Sequence, residues 1–408
     1  MGKIKVVVCG LGYGGISFLR NISNESNVEI VAIDQNPFHY LQPEVYRYIA
    51  HEKLLSDILI DLFALTYGMS KNIQFVKSKI LNINLKEKKI ITEDFEMDYD
   101  FAVISLGSRT FFPPINGLRE YSSGVKTIDK SMKFKHFFEK IVLRKMKEED
   151  ICMIDSKSIF NIVVGGGGLS GVEIAAEMAY FQEKIFSKVG CGLKRPDIYL
   201  IEALPSILYG MDDFLVETAV NRLKDLGVNI ITGKKIVSVY KDKVELEDGT
   251  TINSDFLIWT GGIVGSSVIN NIEGIKKNRK NQIITDKFFR VEGYEDTFAI
   301  GDCAEVKNFE TGETLPATAQ VAVQTGKIVA EHIKSIVSNK PLKEKYPNFK
   351  GILAALGGKY AAGVIKNKIK IKGFPAHLLK EAVFKTYKFP LKWEIRKTRN
   401  ILSQNFHT

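Results

Sequence analysis

The 408-residue sequence lacks the features of secreted, disulfide-rich and membrane-spanning proteins. It has only four cysteines, scattered singly, with neither CxxC spacing nor the pairing of a disulfide framework. No window reaches the run of about 18 apolar residues that a spanning helix needs. The first residues lead into an apolar segment at Ile4 without the charged leader and long apolar stretch of a secretory signal. We therefore expect a globular protein of a reducing compartment that does not cross a membrane.

Positive charge is unevenly distributed along the chain. The net charge is +10, yet residues 341–408 alone hold thirteen lysines and two arginines against three glutamates. The preceding residues are therefore close to neutral, and the tail is strongly basic. Anionic lipid and nucleic acid are the two obvious partners for such a tail. Nothing in it resembles a base-reading module, so we expect a lipid surface and no nucleic acid.

A glycine-rich turn follows the first apolar strand. It reads G-x-G-x-x-G at Gly10, Gly12 and Gly15. The first two glycines allow a tight turn and the close approach of a pyrophosphate, and the third lets the following helix pack on the strand. The next apolar strand ends at Asp34, where a carboxylate is expected to bind ribose hydroxyls. Strand, motif, helix, strand and acid in this register predict a dinucleotide site.

The same fingerprint is repeated at Gly166, Gly168 and Gly171. The strand after it ends at Glu202, thirty-one residues beyond Gly171, where about twenty is typical. We attribute the excess to a longer helix or an insertion within residues 182–195. A carboxylate at this position binds a free 2′-hydroxyl and repels a 2′-phosphate, so NADH is predicted over NADPH.

A third region, late in the chain, combines a carboxylate with two amides. A short apolar run ends in Gly301 and Asp302, which predicts a strand and a turn that presents the carboxylate to a ligand. Pro316 is predicted to open a helix, whose first turn carries the positive end of the helix dipole. Gln320 and Gln324 then project from one face of that helix. Taken alone, they read as solvated surface residues.

Several other residues allow both a structural and a functional interpretation. Glu173, just inside the second motif's helix, either complements the helix dipole or lies beside a nicotinamide. His39 has no partner in view, which favours a structural histidine. Cys303 directly follows Asp302, so it is either a structural thiol or a thiol with a redox role. The remaining cysteines are predicted to be buried or incidental thiols: Cys9, Cys152 and Cys191.

The basic tail predicts a strand with a basic face at residues 366–372 and an amphipathic helix over residues 374–389. Aromatic residues including Trp393 and a basic rim are typical of a helix that lies in a membrane interface. The alternative is a helix that packs on the protein or mediates dimerisation, so a homodimer stays open. The predicted apolar side comprises Leu379, Ala382, Val383 and Tyr387, with Lys380, Lys385 and Lys388 elsewhere.

Together these motifs resemble the two-dinucleotide-binding flavoproteins, an α/β architecture with two Rossmann-like domains. Within that group, VVGGGGLSGVEIAAE (163–177), LIWTGGIVGS (257–266), FAIGDCA (298–304) and PATAQVAVQTG (316–326) resemble the type II NADH:quinone oxidoreductases. The A-Q-x-A-x-Q element at 319–324 is the most specific of them. The resemblance implies a FAD-binding domain at 1–115 and 265–340, an inserted NADH-binding domain at 116–264 and a membrane-associating region at 341–408.

The resemblance also implies site residues. FAD would lie on Gly10, Gly12, Gly14, Gly15, Asp34, Gly107, Gly301, Asp302 and Ala319. NADH would lie on Gly166, Gly168, Gly171, Glu202 and Gly261, with Glu173 beside the nicotinamide. Gln320 and Gln324 would line the quinone pocket, and Lys380 matches a lysine that related enzymes carry near the quinone. The sequence departs from the family pattern at Leu106, Leu169 and Ser170.

The activity implied is oxidation of NADH through FAD and reduction of a membrane quinone, without proton pumping, by a peripheral enzyme on the cytoplasmic face of the membrane. The flavin carries the redox chemistry, and glutamines can only hydrogen-bond the quinone because an amide does not titrate near neutral pH. A sulfide:quinone oxidoreductase is the main alternative, but no cysteine follows Cys303. A flavin- and NADH-binding sensor with little turnover is a further alternative.

Overall fold

A computed structural model describes residues 2–147, 161–188, 196–366 and 368–405 of the chain. Its helices are α1 (Tyr13–Ile22), α2 (Val45–Ile49), α3 (Leu62–Met69), α4 (Leu118–Tyr121), α5 (Ile128–Lys147), α6 (Leu169–Lys188), α7 (Asp213–Asp225), α8 (Ala319–Val337) and α9 (Phe374–Asn405).

The strands of the first 110 residues are β1 (Ile4–Cys9), β2 (Val28–Asp34), β3 (Phe38–Tyr40), β4 (Leu59–Asp61), β5 (Ile73–Lys77), β6 (Ile80–Asn84), β7 (Lys89–Thr92), β8 (Glu96–Asp98), β9 (Phe101–Ile104) and β10 (Ser108–Thr110). The middle strands are β11 (Ser122–Ser123), β12 (Asn161–Gly165), β13 (Asp197–Glu202), β14 (Asn229–Thr232), β15 (Ile236–Val239), β16 (Lys243–Leu246), β17 (Thr251–Asn253), β18 (Phe256–Trp259) and β19 (Ile263–Gly265). The last are β20 (Ile283–Ile284), β21 (Thr297–Ala299), β22 (Ala304–Glu305), β23 (Gly351–Ala355), β24 (Ala361–Ile365) and β25 (Ile369–Gly373).

The first large sheet is parallel, in the order β21-β9-β1-β2-β5. Its central strand β1 reads IKVVVC, and Val6, Val7 and Val8 are fully buried, as expected for a β-branched strand covered on both faces. Carboxyl ends of parallel strands meet at one edge of a sheet. The late strand β21 therefore delivers Asp302 to the edge where the first glycine-rich turn follows β1.

A second parallel sheet has the order β11-β18-β12-β13-β14 and repeats this arrangement around the second glycine-rich turn. Helix α6 extends over 20 residues, whereas its counterpart α1 has 10. The longer helix accounts for much of the wide spacing between Gly171 and Glu202, as predicted. Residues 189–195 of the same interval lie outside the described residues. The predicted α/β class with two Rossmann-like units is confirmed.

Helix α8 crosses α1 at a close backbone approach between two glycines. A Cβ atom built on Gly326 would lie 2.2 Å from the carbonyl oxygen of Gly14, and Ser17 Oγ donates to Val323 O at 2.6 Å. This packing fixes the N-terminus of α8 beside the first sheet. The helix begins at Ala319 with Thr318 as its N-cap, so the prediction that Pro316 opens it was wrong. A threonine hydroxyl satisfies a free amide of the first turn, which proline cannot do.

The C-terminal region forms an antiparallel sheet, β23-β24-β25, followed by α9. The helix continues through Pro390 to Asn405, well beyond residue 389. It packs on α3, where Thr398 Oγ1 donates to Ala64 O at 2.6 Å. Among the described residues, no helix is both long and apolar enough to span a membrane.

The predicted apolar side of α9 was partly wrong. Val383 is 53% exposed, whereas Lys380 is only 9% exposed and faces the protein. Lys388 also turns inward and forms an ion pair with buried Glu44. The reason is that two buried carboxylates need cations, since an unpaired buried charge is costly. The outward face instead carries large apolar residues: Phe374, Leu378, Val383, Phe389 and Trp393.

Candidate functional site

The first glycine-rich turn is closed by the carboxylate at the end of β2. Leu11 N donates to Asp34 Oδ2 at 2.7 Å, and Asn36 N donates to Asp34 Oδ1 at 2.8 Å. Burial raises the pKa of Asp34, and the hydrogen bonds from Asn36 and Leu11 oppose that rise. Gly10 has a φ of +100°, and a Cβ there would lie 2.5 Å from Ser105 O, so only glycine fits. The space over Gly12 is open to a ligand.

A cleft of about 490 Å³ extends from this turn across the edge of the first sheet. Gly15 does not line it, because its role is packing: a Cβ there would lie 2.1 Å from Gly10 O. The first turns of α1 and α8 both open into the cleft, so unpaired amide hydrogens and two positive dipole ends face it. The cleft brings together most of the residues predicted to bind FAD: Gly10, Gly12, Gly14, Asp34, Gly107, Gly301, Asp302 and Ala319.

Asp302 lies in this cleft with two partners that sequence reasoning missed. Ser108 Oγ donates to Asp302 Oδ2 at 2.8 Å, and Lys126 Nζ lies 3.0 Å from the same oxygen. Lys126 comes from the loop before α5, 176 residues away in sequence. Ser108 follows Gly107 directly and was within reach of motif reasoning, but no local pattern marks Lys126.

The second glycine-rich turn reproduces the geometry of the first. Gly167 N donates to Glu202 Oε2 at 2.6 Å, and Leu204 N donates to Glu202 Oε1 at 2.9 Å. Thr260 Oγ1 donates to Gly166 O at 2.8 Å and fastens the turn to the end of β18. The space over Gly168 is open. Neither Gly171 nor Gly261 leaves room for a Cβ. At Gly171 it would clash with Gly166 O, and at Gly261 with the Trp259 ring.

Glu173 and Lys380 form a buried ion pair between α6 and α9. Lys380 Nζ donates to Glu173 Oε1 at 2.6 Å and to Leu353 O at 2.7 Å. The same carboxylate oxygen accepts from Ala355 N at 3.0 Å. The pair therefore joins the second nucleotide fold, the C-terminal sheet and the C-terminal helix at one point.

Gln320 and Gln324 hold the chain segment that leads into β23. Gln320 Nε2 donates to Gly351 O at 3.0 Å, and its Oε1 accepts from Lys350 N at 3.1 Å. Gln324 bonds Asn348 in the same two-way manner, with distances of 3.0 and 2.9 Å. Each amide thus acts as a short β-ladder against residues 348–351. They are not the freely solvated glutamines that the helix pattern alone suggests.

Cys303 and His39 are both buried in structural roles. Cys303 Sγ lies 3.2 Å from Ile300 O, and burial raises the pKa of the thiol to about 11. Burial also raises the pKa of the Cys9 thiol. Burial lowers the pKa of His39 to about 3, and Nε2 of the neutral ring forms a hydrogen bond with the Tyr387 hydroxyl at 3.0 Å. Cys152 and Cys191 lie outside the described residues.

Two glycine-rich turns, each closed by the carboxylate of the following strand, define a protein of the class with two dinucleotide-binding α/β folds. A family model described as pyridine nucleotide-disulphide oxidoreductase matches residues 4–326. The chain belongs to that family.

Full-length relatives agree with the resemblance seen in the motifs. The type II NADH:quinone oxidoreductase of Staphylococcus saprophyticus is 28% identical over 93% of this chain and 94% of its own length. That of Staphylococcus epidermidis is 29% identical over the same shares. The suspected resemblance to type II NADH:quinone oxidoreductases is therefore confirmed.

Solved structures share the fold at lower identity. The NDH2 of Plasmodium falciparum in complex with NADH has a TM-score of 0.85 at 18% identity, covering 97% of this chain and 98% of its own. The sulfide:quinone oxidoreductase of Aquifex aeolicus has a TM-score of 0.78 at 19% identity, covering 97% and 92%. The likeness in both cases concerns the fold.

Proposed function

We propose that this protein is a type II NADH:quinone oxidoreductase that holds FAD in the first cleft, oxidises NADH at the second turn and reduces a membrane quinone. The observation that carries the proposal is the pairing of two carboxylate-closed glycine turns with a C-terminal helix that contacts both folds. That helix reaches Glu173 through Lys380 and His39 through Tyr387. Full-length similarity to named enzymes of this type supports it.

The residues of the first cleft fit FAD. The N-terminus of α1 offers amide hydrogens and a positive dipole end to a diphosphate. Asp34 Oδ2 accepts one backbone bond and keeps a lone pair for a ribose hydroxyl, whereas Oδ1 already accepts two bonds from Asn36. Asp302 and the N-terminus of α8 supply an acceptor and donors farther along the cleft. When bound there, FAD supplies the two-electron chemistry that connects a hydride donor to a quinone.

The residues of the second fold select and orient the nicotinamide nucleotide. The Glu202 carboxylate bonds a free 2′-hydroxyl and repels a 2′-phosphate, which favours NADH. Glu173 lies on the first two turns of the helix that follows the glycine motif, beside the expected nicotinamide position. Its bonds to Lys380 and Ala355 hold the carboxylate in a fixed orientation.

The quinone is proposed to reach the FAD cleft by a route that runs between α8, the segment 348–355 and α9. Gln320 and Gln324 fix that segment, and Lys380 places a positive charge where negative charge develops on a quinone oxygen during reduction. Neither amide titrates, so their role is to position and to hydrogen-bond.

The apolar outward face of α9 is proposed to attach the enzyme to the cytoplasmic face of a membrane. Phe389 and Trp393 are 68% and 53% exposed, and on the adjoining α3 Phe63 is 59% exposed. Exposed basic side chains on α9 include Lys385, Lys392 and Arg396, and each contributes about 1 kcal/mol beside an anionic bilayer. This face belongs to the same helix as Lys380, so attachment would bring the proposed quinone approach close to the membrane. No proton pumping is proposed, since transfer takes place on one side of the membrane.

The test is stepwise and anaerobic. The purified protein, checked for bound flavin, is mixed with NADH, NADPH or sulfide separately, the flavin absorbance is followed, and quinone is then added. NADH is expected to bleach the flavin and quinone to restore it. Bleaching by sulfide alone would overturn the proposal.

A sulfide:quinone oxidoreductase is the second candidate, favoured by the shared fold. The two cysteines in the described part of the chain, Cys9 and Cys303, are both buried thiols with raised pKa values. Neither is therefore readily available as the reactive thiolate that cysteine-based sulfide chemistry needs. Steady-state quinone turnover with NADH would exclude both this candidate and a sensor with little turnover.

A further inference from the structure

One wall of the first cleft is formed by residues 38–47, which we call the wall segment. It comprises β3, a short turn and the start of α2. Strand β3 pairs with β4 over only three residues, and so short a pair of strands is marginally stable by itself. Strand β4 leads directly into α3, which packs on α9. The residues of the wall segment that line the cleft are Phe38, His39, Tyr40, Gln42 and Pro43.

The C-terminal helix α9 contacts the wall segment through an aromatic cluster. The Tyr387 hydroxyl forms a hydrogen bond with Nε2 of the buried His39 at 3.0 Å. Tyr13, the first residue of α1, completes the cluster, because its ring centroid lies 4.8 Å from that of His39 and 4.7 Å from that of Tyr387. Rings at such separations stabilise one another. Tyr13 and His39 both line the cleft, so Tyr387 supports two side chains of the proposed flavin site from behind.

Two ion pairs join α9 to the same wall segment. Lys388 pairs with the buried Glu44, and Glu381 pairs with Arg47 on α2. Positions 381 and 388 are about two helical turns apart, so both side chains project from one side of α9. Removing one partner of a buried pair is strongly unfavourable, because the other charge is left without compensation. The ion pairs therefore fix the wall segment against the helix.

We propose that Tyr387 and Lys388 are positioning residues for the flavin: they hold the wall segment in place and so determine how tightly the first cleft retains FAD. The inference rests on the proposed function, which has FAD in that cleft. A ligand binds more tightly to a wall that is already ordered, because ordering it on binding would use part of the interaction free energy. Neither residue lines the cleft itself, so both act through Tyr13, His39 and Glu44.

The first test compares Tyr387→Phe with Tyr387→Leu. Purified holoprotein is diluted stepwise, and the fluorescence of the released FAD gives its dissociation constant. Tyr387→Phe keeps the ring on Tyr13 but loses the bond to His39, which is expected to raise the dissociation constant by about twofold to tenfold, the value of one net hydrogen bond. Tyr387→Leu also loses the ring contact and is expected to raise it further. Tyr209→Leu, at an exposed tyrosine of the second nucleotide fold, is the control and should not change it.

The second test separates positioning from stability. Lys388→Met leaves the Glu44 carboxylate buried without its cation, which is expected to weaken FAD binding about tenfold or more and to lower the free energy of unfolding in excess FAD. Adding Glu44→Gln removes the unpaired charge, so most of the unfolding free energy should return. The link between α9 and the wall segment is still missing in this double variant, so FAD binding should stay weak. Lys224→Met, at an exposed lysine of α7, should change neither quantity.

FAD affinity that returns together with stability in the double variant would overturn the inference, because α9 would then serve folding alone. FAD affinity that is unchanged in both Tyr387 variants would overturn it as well. The proposed function would stand in either case, provided that the unmodified protein binds FAD and reduces quinone with NADH. An unmodified protein that binds no FAD would overturn the proposed function and the inference with it.

Discussion

Lys380 and Glu173 are 207 residues apart in sequence, yet Lys380 Nζ lies 2.6 Å from Glu173 Oε1 in a buried setting. The contact ties the C-terminal helix to the helix that follows the second glycine-rich turn. It shows that one lysine of the basic tail reaches the interior of the protein. The pair also offers a direct test of how the tail is held.

Removing one partner of this pair should destabilise the protein strongly. Lys380→Met leaves the Glu173 carboxylate buried without its cation, and breaking such a pair costs about 3–5 kcal/mol. The combined Lys380→Met and Glu173→Gln variant should recover most of that loss, because no unpaired charge remains. Denaturant unfolding measures both. Lys276→Met, which breaks an exposed pair with Glu292, is the control and should change stability by about 1 kcal/mol or less. A double variant as unstable as the single one would contradict this account.

Glu202 should set the preference for NADH. In the unmodified protein, flavin bleaching by NADPH is expected to be at least tenfold slower than by NADH, because the carboxylate repels a 2′-phosphate. Glu202→Gln should narrow the difference by removing that charge while keeping one acceptor oxygen. Anaerobic stopped-flow absorbance gives both rates. Asp34→Asn, the same change at the first turn, should lower flavin content without altering the ratio per bound flavin. Equal rates in the unmodified protein would refute the assignment.

The fold and both glycine-rich turns can be predicted from local sequence patterns. The residues that contact the site from distant parts of the chain cannot. The bounds of β1 and the acids at Asp34 and Glu202 follow from apolar β-branched runs, glycine spacing and strand ends, all of which are local. The contacts of Lys126 with Asp302 and of Lys380 with Glu173 arise where segments distant in sequence meet. Such long-range contacts leave no periodic pattern in the sequence.

The outcome for α9 shows the same limit from another side. Its helical pattern predicts a helix correctly, but which side faces inward depends on Glu44 and Glu173, buried carboxylates that the tail sequence does not contain. Hydrophobicity alone therefore assigned Lys380 and Lys388 to the wrong environment. Charge pairing in the interior outweighed the apolar pattern.

Replacing both α8 glutamines should separate the two half-reactions. Gln320→Leu with Gln324→Leu removes the four bonds to residues 348–351 and so loosens the proposed quinone approach. Quinone reduction is expected to fall at least tenfold, with flavin bleaching by NADH intact. Lys327→Leu, an exposed change on the same helix, serves as the control. Loss of both half-reactions would indicate that the glutamines serve folding alone.

The outward face of α9 should bind anionic bilayers through its aromatic residues and its charge together. Phe389 and Trp393 are largely exposed, and burying each in a bilayer interface should contribute about 1 kcal/mol or more. Phe389→Gln with Trp393→Gln is therefore expected to weaken cosedimentation with anionic liposomes by about tenfold or more. Raising the salt concentration should weaken binding of the unmodified protein as well, since the basic residues are screened.

The matched control for this surface is Tyr209→Gln, because Tyr209 is 60% exposed and belongs to the second nucleotide fold. It should leave liposome binding unchanged. Both variants should keep the thermal stability of the unmodified protein, since neither surface is packed. If the α9 variant bound liposomes as well as the control, the exposed aromatic residues would belong to a protein contact instead. Sedimentation of the unmodified protein and the α9 variant would then identify that contact, because a dimer formed through this face would dissociate in the variant.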